Sequence, residues 1–159
     1  MSTLEVKAIQ APTGFDLQMP AGHIVQVVQT TDSTNYSTTS TSYTQGPQSA
    51  SITLKNSSNK VFVMFNFLAY AQWGGTYNGI RTAIYRGTIA SGTKITSGTE
   101  PQLLTFNNEV WAWQTLSYLD TPNGNTTYSL GFNQHGSANI AKIQGSYGQT
   151  VITLMEVSA

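Results

Sequence analysis

The longest apolar run in the chain, residues 61–72 with the sequence VFVMFNFLAYAQ, predicts a central β-strand. Val and Phe dominate the run, Gly74 and Gly75 follow it at once, and no capping residue opens a helical pattern, so a helix is disfavoured. A strand's period of two predicts one uniformly apolar face. The members of that face are Val61, Val63, Phe65, Phe67, Ala69 and Ala71.

The opposite face of this run changes character along its length. It begins with Phe62 and Met64, and its second half contains Asn66 and Gln72. The first half should therefore lie between two layers, whereas the second half should emerge towards solvent. Twelve extended residues span roughly 40 Å, which is longer than the usual strand, so a bend or bulge is expected within residues 69–71.

Alternating or β-branched segments predict the other strands. They are residues 23–31, 49–55, 80–88, 109–120, 126–134 and 150–157. Between them, residues 30–48 should be an ordered edge strand or long loop, because Thr and Tyr are good strand formers. Residues 90–108 and 135–149 are predicted as connections.

Two turn signals predict hairpins. The sequence NSSN at 56–59 should join the 49–55 strand to the central strand as an antiparallel pair. The sequence TPNGN at 121–125 contains an Asn-Gly pair, the strongest short-range hairpin signal, and should join the strands on either side of it. About seven to nine strands without a convincing helix predict an all-β fold, either an antiparallel β-sandwich or a jelly roll.

The β-sandwich domain is expected to span residues 23–159, and residues 1–22 are expected to form an extended N-terminal arm. Pro and Gly residues divide this segment into short pieces that have no core of their own. Its apolar, candidate anchoring residues are Leu4, Val6, Ile9, Phe15, Leu17 and Met19. The arm could lie on its own domain, or it could wrap a neighbouring subunit or dock into a larger assembly.

Composition narrows the class of partner. Only 9% of the 159 residues are charged and the net charge is zero, so no basic field attracts nucleic acid or an anionic membrane. A net charge near zero favours association, which suggests a homo-oligomer. The absence of cysteine excludes disulfides and thiolate zinc sites. Residues 1–10 contain no apolar block of signal-peptide length, and the longest apolar run is too short for a membrane helix, so no membrane insertion is expected.

Catalytic chemistry finds little support in the residues. The acidic residues are scattered, and a Glu109–Asp120 pair is the one glycosidase-like arrangement left open. Asp120 is expected to cap the turn before Pro122, and Glu109 to be solvated. His23 and His135 lack metal-ligand spacing, and no nucleophile elbow or phosphate loop is present. The chain is therefore expected to be no enzyme and to use no cofactor or metal.

Five aromatic residues near predicted loops are the candidate contact residues: Trp73, Tyr77, Trp111, Trp113 and Tyr147. Flat rings beside Asn, Gln and Gly are typical of surfaces that bind sugars or proteins, since they offer a large area at low entropic cost. Trp73 and Tyr77, in a Gly-rich loop, are the better candidates for an exposed site. Trp111 and Trp113 share one strand face, and at least one of them is expected in the core or in a subunit interface.

Five stretches of the chain resemble short tail-fibre-like, receptor-binding β-domain proteins of marine tailed phages. They are STLEVKAIQAPTG at 2–14, PAGHIVQVVQTTDSTNYSTTSTSYT at 20–44, SASITLKNSSNKVFVMFNF at 49–67, QTLSYLDTPNGNTTYSLGFNQ at 114–134 and TVITLMEVSA at 150–159. The resemblance implies a β-sandwich that trimerises and projects from the virion. It carries over no catalytic residues, and its motifs are structural.

The resemblance implies a non-enzymatic virion structural protein, assembled in the host cytoplasm, and in particular a small tail-fibre or receptor-binding subunit. Its partners would be other virion proteins, further copies of the chain, and a glycan or protein of the host surface. The chain departs from long fibres in having no collagen-like or coiled-coil shaft. A capsid decoration or head-fibre protein is therefore an alternative, and a glycan-binding module is a second. A polysaccharide-cleaving enzyme would require Glu109 and Asp120 to share a cleft.

Overall fold

The computed structural model describes residues 20–47, 49–72, 78–96, 103–105, 109–136 and 140–159, and the strands in these ranges form two sheets. The strands are β1 (Ile24–Asp32), β2 (Tyr36–Thr38), β3 (Thr44–Gln45), β4 (Ala50–Ile52), β5 (Lys60–Gln72), β6 (Asn78–Arg86), β7 (Thr93–Lys94), β8 (Leu103–Thr105), β9 (Val110–Asp120), β10 (Thr126–Gly136), β11 (Ile140–Gln144) and β12 (Thr150–Val157). No helix occurs in the described ranges. The predicted arm residues Leu4, Val6, Ile9, Phe15, Leu17 and Met19 lie outside them.

The predicted central strand is the centre of the first sheet. β5 pairs along its whole length with β9 on one side. On its other side it pairs first with β12 and then with β11, and these two strands pair in turn with β1 and β2. The first sheet is therefore four strands wide, with β9 at one edge and β1 and β2 at the other.

The second sheet has the same design. β10 and β6 pair in its centre, β3 and β4 lie along the free side of β10, and β7 and β8 lie along the free side of β6. Merging each interrupted pair (β1 with β2, β3 with β4, β7 with β8, β11 with β12) reduces the twelve described strands to eight. In chain order these lie as 1-8-3-6 in one sheet and 2-7-4-5 in the other. This arrangement is a jelly roll, one of the two predicted architectures.

The core lies between the sheets and confirms the predicted inner face of β5. Val61, Val63, Phe65, Phe67, Ala69 and Ala71 are all fully buried. They pack against apolar side chains of β6 and β10, including Ile84, Leu130 and Phe132. Each fully buried large side chain contributes about 1.5–3 kcal/mol, so this two-sided layer is the main source of stability in a chain without disulfides.

The outer face of β5 is the reverse of the expectation. Phe62 and Met64 are partly exposed, whereas Leu68 and Tyr70 are buried, at 8% and 3% exposure. The reason is tertiary, because side chains of β9 and the 145–149 loop cover the second half of the strand. The predicted bulge is also wrong, since the register with β9 is unbroken from Val61 to Ala71.

Both predicted hairpins are wrong, because the chain crosses from one sheet to the other at each of the two turns. β4 pairs with β10 rather than with β5, and β9 and β10 belong to different sheets. Asn123 and Gly124 do adopt positive φ angles of 59° and 141°, so the turn chemistry was right. In a jelly roll, however, most consecutive strands cross from one sheet to the other to bury their apolar faces, and the turn becomes a corner between sheets. The predicted 135–149 loop also contains a strand, β11.

The two ends of the molecule differ. At one end, called here the arm end, the backbone N–H of Gly22 donates to the carbonyl of Ser158 at 3.0 Å, and that of Ser158 donates to His23 at 3.0 Å. At the other, the distal end, Gln72 pairs with Ile140 and β9 begins. The chain between residue 19 and β1 therefore lies at the opposite end of the strands from the start of β9.

Candidate functional site

An aromatic groove lies on the outer face of the first sheet near the distal end. Neighbouring strands place Ser37, Lys142, Tyr70 and Trp111 in one row, because these residues are register partners across β2, β11, β5 and β9. The groove has a volume of about 510 Å³. It is lined by Asn35, Tyr36, Ser37, Tyr70, Glu109, Trp111, Lys142, Gln144 and Tyr147.

Three rings form its apolar part. The Tyr70 and Trp111 centroids are 4.7 Å apart with planes at 62°, and those of Trp111 and Tyr147 are 5.3 Å apart at 84°. Such edge-to-face contacts are favourable and hold each ring in a defined orientation. Tyr70 is buried, whereas Trp111 and Tyr147 are 44% and 73% exposed. Tyr70 thus forms the base of the groove, and the other two rings present surface to a ligand.

Charged and polar groups border the rings. Burial, followed by a hydrogen bond to the Glu109 carboxylate, raises the pKa of the Tyr70 hydroxyl to about 12, so it stays protonated at neutral pH. The Glu109 carboxylate also accepts a hydrogen bond from the Gln72 amide at 3.2 Å. The Lys142 ammonium lies 4.8 Å from the Tyr70 ring centroid, in cation–π range. The groove therefore offers one cation, one anion and several amides.

The 145–149 loop carries Tyr147 and is held in place by contacts with residues 33–35. The Asn35 side-chain oxygen accepts backbone hydrogen bonds from Gly145 at 2.9 Å and from Ser146 at 3.0 Å. Gly145 is required there, because a Cβ atom would collide with the backbone of Ser33. The position of Tyr147 is therefore set by contacts among backbone atoms and one amide.

The structure brings together two of the five predicted aromatic residues. Trp111 and Tyr147 are in contact, whereas Trp113, although on the same face and 59% exposed, packs its ring over Gly148 and does not line the groove. Neither Trp111 nor Trp113 is in the core of the chain, and their place in a subunit interface stays a prediction. Trp73 and Tyr77 lie outside the described residues.

Sequence reasoning missed Tyr70, Lys142 and Asn35. Tyr70 lies in the predicted central strand, but at the end that is expected to face solvent. The sequence therefore predicts its strand correctly and its burial wrongly. Lys142 lies in the predicted 135–149 connection, and Asn35 lies in the 30–48 segment that is predicted as an ordered edge strand or long loop. They join the groove because β11 pairs with β5 and the 33–35 corner lies against residues 145–146, an arrangement that local pattern does not encode.

The carboxylate pair left open by the sequence does not form. Glu109 and Asp120 flank opposite ends of β9, roughly 36 Å apart along an extended strand, so they share no cleft. Asp120 instead accepts two hydrogen bonds from the Arg86 guanidinium, and one from the Tyr128 hydroxyl at 2.8 Å. Burial by itself raises the pKa of Asp120, but these bonds outweigh it and lower the pKa. The group ties β9 of one sheet to β6 and β10 of the other.

A second buried carboxylate, Glu156, has a structural role that the sequence did not reveal. It is fully buried and accepts hydrogen bonds from the Lys55 and Asn56 backbone at 2.8 and 3.2 Å, and from the Asn59 and Gln26 amides at 2.7 and 2.5 Å. Burial favours a higher pKa, yet these donors lower it. The carboxylate thus fixes the corner between β4 and β5.

The described ranges contain no cluster of metal-binding side chains. Within them, no three His, Cys, Asp or Glu side chains come close enough to hold a metal ion. A second groove of about 560 Å³ beside Tyr36 and Pro47 contains Asp32, but that carboxylate accepts hydrogen bonds from the Thr34 backbone and the Tyr36 hydroxyl, both at 2.8 Å. No helix in the described ranges has the length and apolarity needed to cross a membrane.

The strand order and the groove define the chain as a jelly-roll domain with a candidate binding surface on its outer face. No protein-family model matches the chain, and no curated protein matches it.

Among solved structures, the chain is similar to one from the infectious bursal disease virus Gx strain, at 12% identity and a TM-score of 0.44, covering 97% of this chain and 43% of that one. It is also similar to the infectious bursal disease virus VP2 subviral particle, at 14% identity, a TM-score of 0.44, and 97% and 42% coverage. The chain spans less than half the length of these chains. Likeness at this level supports no functional assignment.

Proposed function

We propose that the chain is a non-enzymatic structural protein of a phage virion, assembled in the host cytoplasm, and that it serves as a small tail-fibre or receptor-binding subunit. The resemblance to tail-fibre-like proteins, which extends over five stretches between residues 2 and 159, supports the virion role. The jelly roll supports it too, since this architecture is common in viral structural domains and in lectins.

One observation carries the receptor-binding role: the attachment of the arm and the aromatic groove lie at opposite ends of the strands. Residues 20–23 are tied to Ser158 at the arm end, and Trp111 lies near the distal end. β5 extends from one end to the other over roughly 40 Å. A subunit anchored to the particle by residues 1–22 would therefore present the groove outward.

The chemistry of the groove favours a sugar ligand. A pyranose has an apolar C–H face that stacks on exposed rings such as Trp111 and Tyr147, and hydroxyls that pair with Glu109, Lys142 and Gln144. The volume of 510 Å³ lies within the range of about 300–1,000 Å³ typical of small-molecule sites. One lysine is too little positive charge for a nucleic acid. A host-surface glycan is thus the proposed receptor, and a glycan-binding module outside the virion is the second candidate function.

A capsid decoration or head-fibre protein is the alternative within the virion. It uses the same fold and the same arm, and it differs in where the arm docks. The proposed partners are other virion proteins and further copies of the chain, with the trimer that the resemblance implies. The native mass of the purified chain tests the trimer directly.

Competition for adsorption tests the receptor role. Purified wild-type protein added to host cells should block adsorption of the phage. Trp111→Ala should raise the protein concentration needed for half-maximal blocking at least tenfold. Leu119→Ala is the matched control, because it removes an exposed apolar side chain on the same face of β9, at the other end of the strand and outside the groove. Equal loss in both variants, or full blocking by Trp111→Ala, would contradict a receptor contact in the groove.

Electron microscopy of virions separates tail from head. Antibody-labelled or directly resolved copies at the tail tip support the tail-fibre subunit, whereas copies on the capsid surface support the decoration protein. Failure to find the chain in purified virions would reject both. In that case, binding of a polysaccharide by the purified protein would leave the glycan-binding module standing.

A further inference from the structure

In the described residues, the edge strand β9 has no partner on its free edge and is partly exposed on both faces. Within the part of the chain that the structure describes, it pairs with β5 alone. On its outer face, Trp113 and Leu119 are 59% and 48% exposed. Tyr118, the register partner of the inward-facing Val63, is nevertheless 41% exposed. In the described residues, the second sheet ends on this side in β7 and β8, which have two and three residues against the eleven of β9.

Natural edge strands are usually protected against pairing by a charged side chain, a proline or a bulge. β9 has none of these before its last residue, Asp120, whose buried carboxylate pairs with Arg86. Residues 110–119 include no charged residue, proline or glycine, and the register with β5 is unbroken along the strand. A long, straight and uncharged edge is a template on which another strand can add. The sequence and the pairing thus agree that this edge is suited to a partner.

We propose that β9 is the strand through which copies of this chain associate, an inference that deepens the homo-oligomer part of the proposed function and rests on it. A copy is the fitting partner because the chain has no net charge, so two copies do not repel each other. Antiparallel pairing of β9 with itself, centred on Thr115, would place Trp111 opposite Leu119 of the second copy and Trp113 opposite its Ser117. Side chains on the outer faces of the two strands would then be cross-strand neighbours and contact one another along the sheet, which leaves their outward sides open.

The strand directions allow a second arrangement that also uses β9. β9, β5, β12 and β1 are successively antiparallel, so β9 and β1 run in opposite directions at the two edges of the first sheet. In a ring, β9 of one copy would therefore meet β1 of the next in the antiparallel sense. Residues 24–31 of β1 are uncharged as well. A two-fold pair and a closed ring are thus both compatible with association through β9.

The available area is sufficient for a stable contact. Eleven extended residues give a length of about 36 Å, and two sheets about 10 Å apart with their outer side chains give an edge about 20 Å deep. Their product is about 700 Å² per copy, or about 1,400 Å² in total. Specific and stable protein interfaces bury about 1,200–2,000 Å². The edge is therefore large enough for a specific contact without help from another surface.

The test compares the full-length wild type with Ser117→Lys and Gln29→Lys by sedimentation equilibrium over a wide concentration range. Both substitutions add one lysine at an exposed outer-face position, the first on β9 and the second on β1. We expect the wild type to associate and Ser117→Lys to raise its dissociation constant at least tenfold. Circular dichroism checks that each variant is folded. Hydrogen exchange should show slower exchange of β9 amides in the assembled protein than after dilution.

Each outcome is decisive. Dissociation by Ser117→Lys alone supports a two-fold β9 contact, and dissociation by both variants supports a ring of β9 with β1. A wild type that stays monomeric at all concentrations overturns the proposal. So does a Ser117→Lys protein that associates as tightly as the wild type, or loss of association in Gln29→Lys alone. These measurements use purified protein, so absence of the chain from virions would reject the virion role and leave the association result intact.

Discussion

Replacing Glu156 by Gln tests whether a buried carboxylate holds the corner between β4 and β5. One carboxylate oxygen accepts three donors, the backbone N–H groups of Lys55 and Asn56 and the Asn59 amide, and the other accepts the Gln26 amide. A hydrogen bond to a charged acceptor contributes about 1.5–3 kcal/mol, and one to a neutral acceptor about 0.5–1.5 kcal/mol. When a neutral amide oxygen replaces the charged oxygen, its three hydrogen bonds together should contribute about 3 kcal/mol less to stability.

The fourth bond is lost as well, because the new amide would face the Gln26 amide, donor against donor. This adds about 1 kcal/mol. Burial of a neutral group in place of a charged one offsets part of the loss, so the free energy of unfolding should fall by a net of about 2–3 kcal/mol. For a chain of this length, this lowers Tm by about 4–12 °C. Thermal unfolding followed by circular dichroism, at one fixed protein concentration, measures it.

The pH dependence distinguishes the charge from the shape of the side chain. The pKa of Glu156 is lowered in the fold below its ordinary value of 4.5, so the carboxylate stabilises the protein above that pH. Its contribution is lost as the pH falls through the folded-state pKa. The gap in Tm between wild type and Glu156→Gln should therefore be largest near neutral pH and shrink below about pH 4.5.

Glu109, an exposed carboxylate, provides the control for Glu156. Glu109→Gln makes the same chemical change at an exposed carboxylate and should cost at most about 1 kcal/mol. A Glu156→Gln protein with an unchanged Tm would refute the reasoning. A gap in Tm that stayed constant from pH 7 to pH 3 would show that the loss comes from packing rather than from the charge.

Three further predictions concern the core, the second carboxylate and the groove. Phe65→Ala should lower the free energy of unfolding in urea by about 3–5 kcal/mol, because the residue is fully buried; a loss below 1 kcal/mol would contradict the assigned core. Asp120→Asn should lower the free energy of unfolding by about 2–4 kcal/mol, since it leaves Arg86 without its charged partner between the sheets. Arg86→Lys should lower it less, and the reverse order would contradict the pairing. Gly145→Ala should weaken binding of a polysaccharide recognised by the wild type at least tenfold, by displacing the loop that carries Tyr147, and unchanged affinity would show that the loop does not shape the groove.

Most of the individual strands were predictable from local pattern. The inner face of β5 follows from alternation alone. Every second residue from Val61 to Ala71 is apolar, and a strand places these six residues on one face. The boundaries of β9 and β12 agree with the predicted strands to within one residue. The positive φ angles at Asn123 and Gly124 also follow from residue type, because these residues tolerate the left-handed region.

Pairing was not predictable in this way. The signals at 56–59 and 121–125 are local, and a turn of given chemistry can lead either back along the same sheet or across to the other. Which of these occurs depends on where the apolar faces of β4 and β10 can be buried, and that is a property of the complete jelly roll. Local turn chemistry therefore predicted the bends correctly and the partners wrongly.

The sequence by itself determined the all-β class, the buried face of β5 and the aromatic, weakly charged character of the surface. The tertiary structure alone decided which residues meet in the groove. It buried Tyr70, which is expected near solvent, and it brought Lys142 and Asn35 to the groove from segments whose pairing is not predicted. It also separated Glu109 and Asp120 to opposite ends of β9. The physical reason is that alternation constrains the face on which a side chain lies, whereas its neighbours are set by strand order, which depends on contacts between residues far apart in the chain.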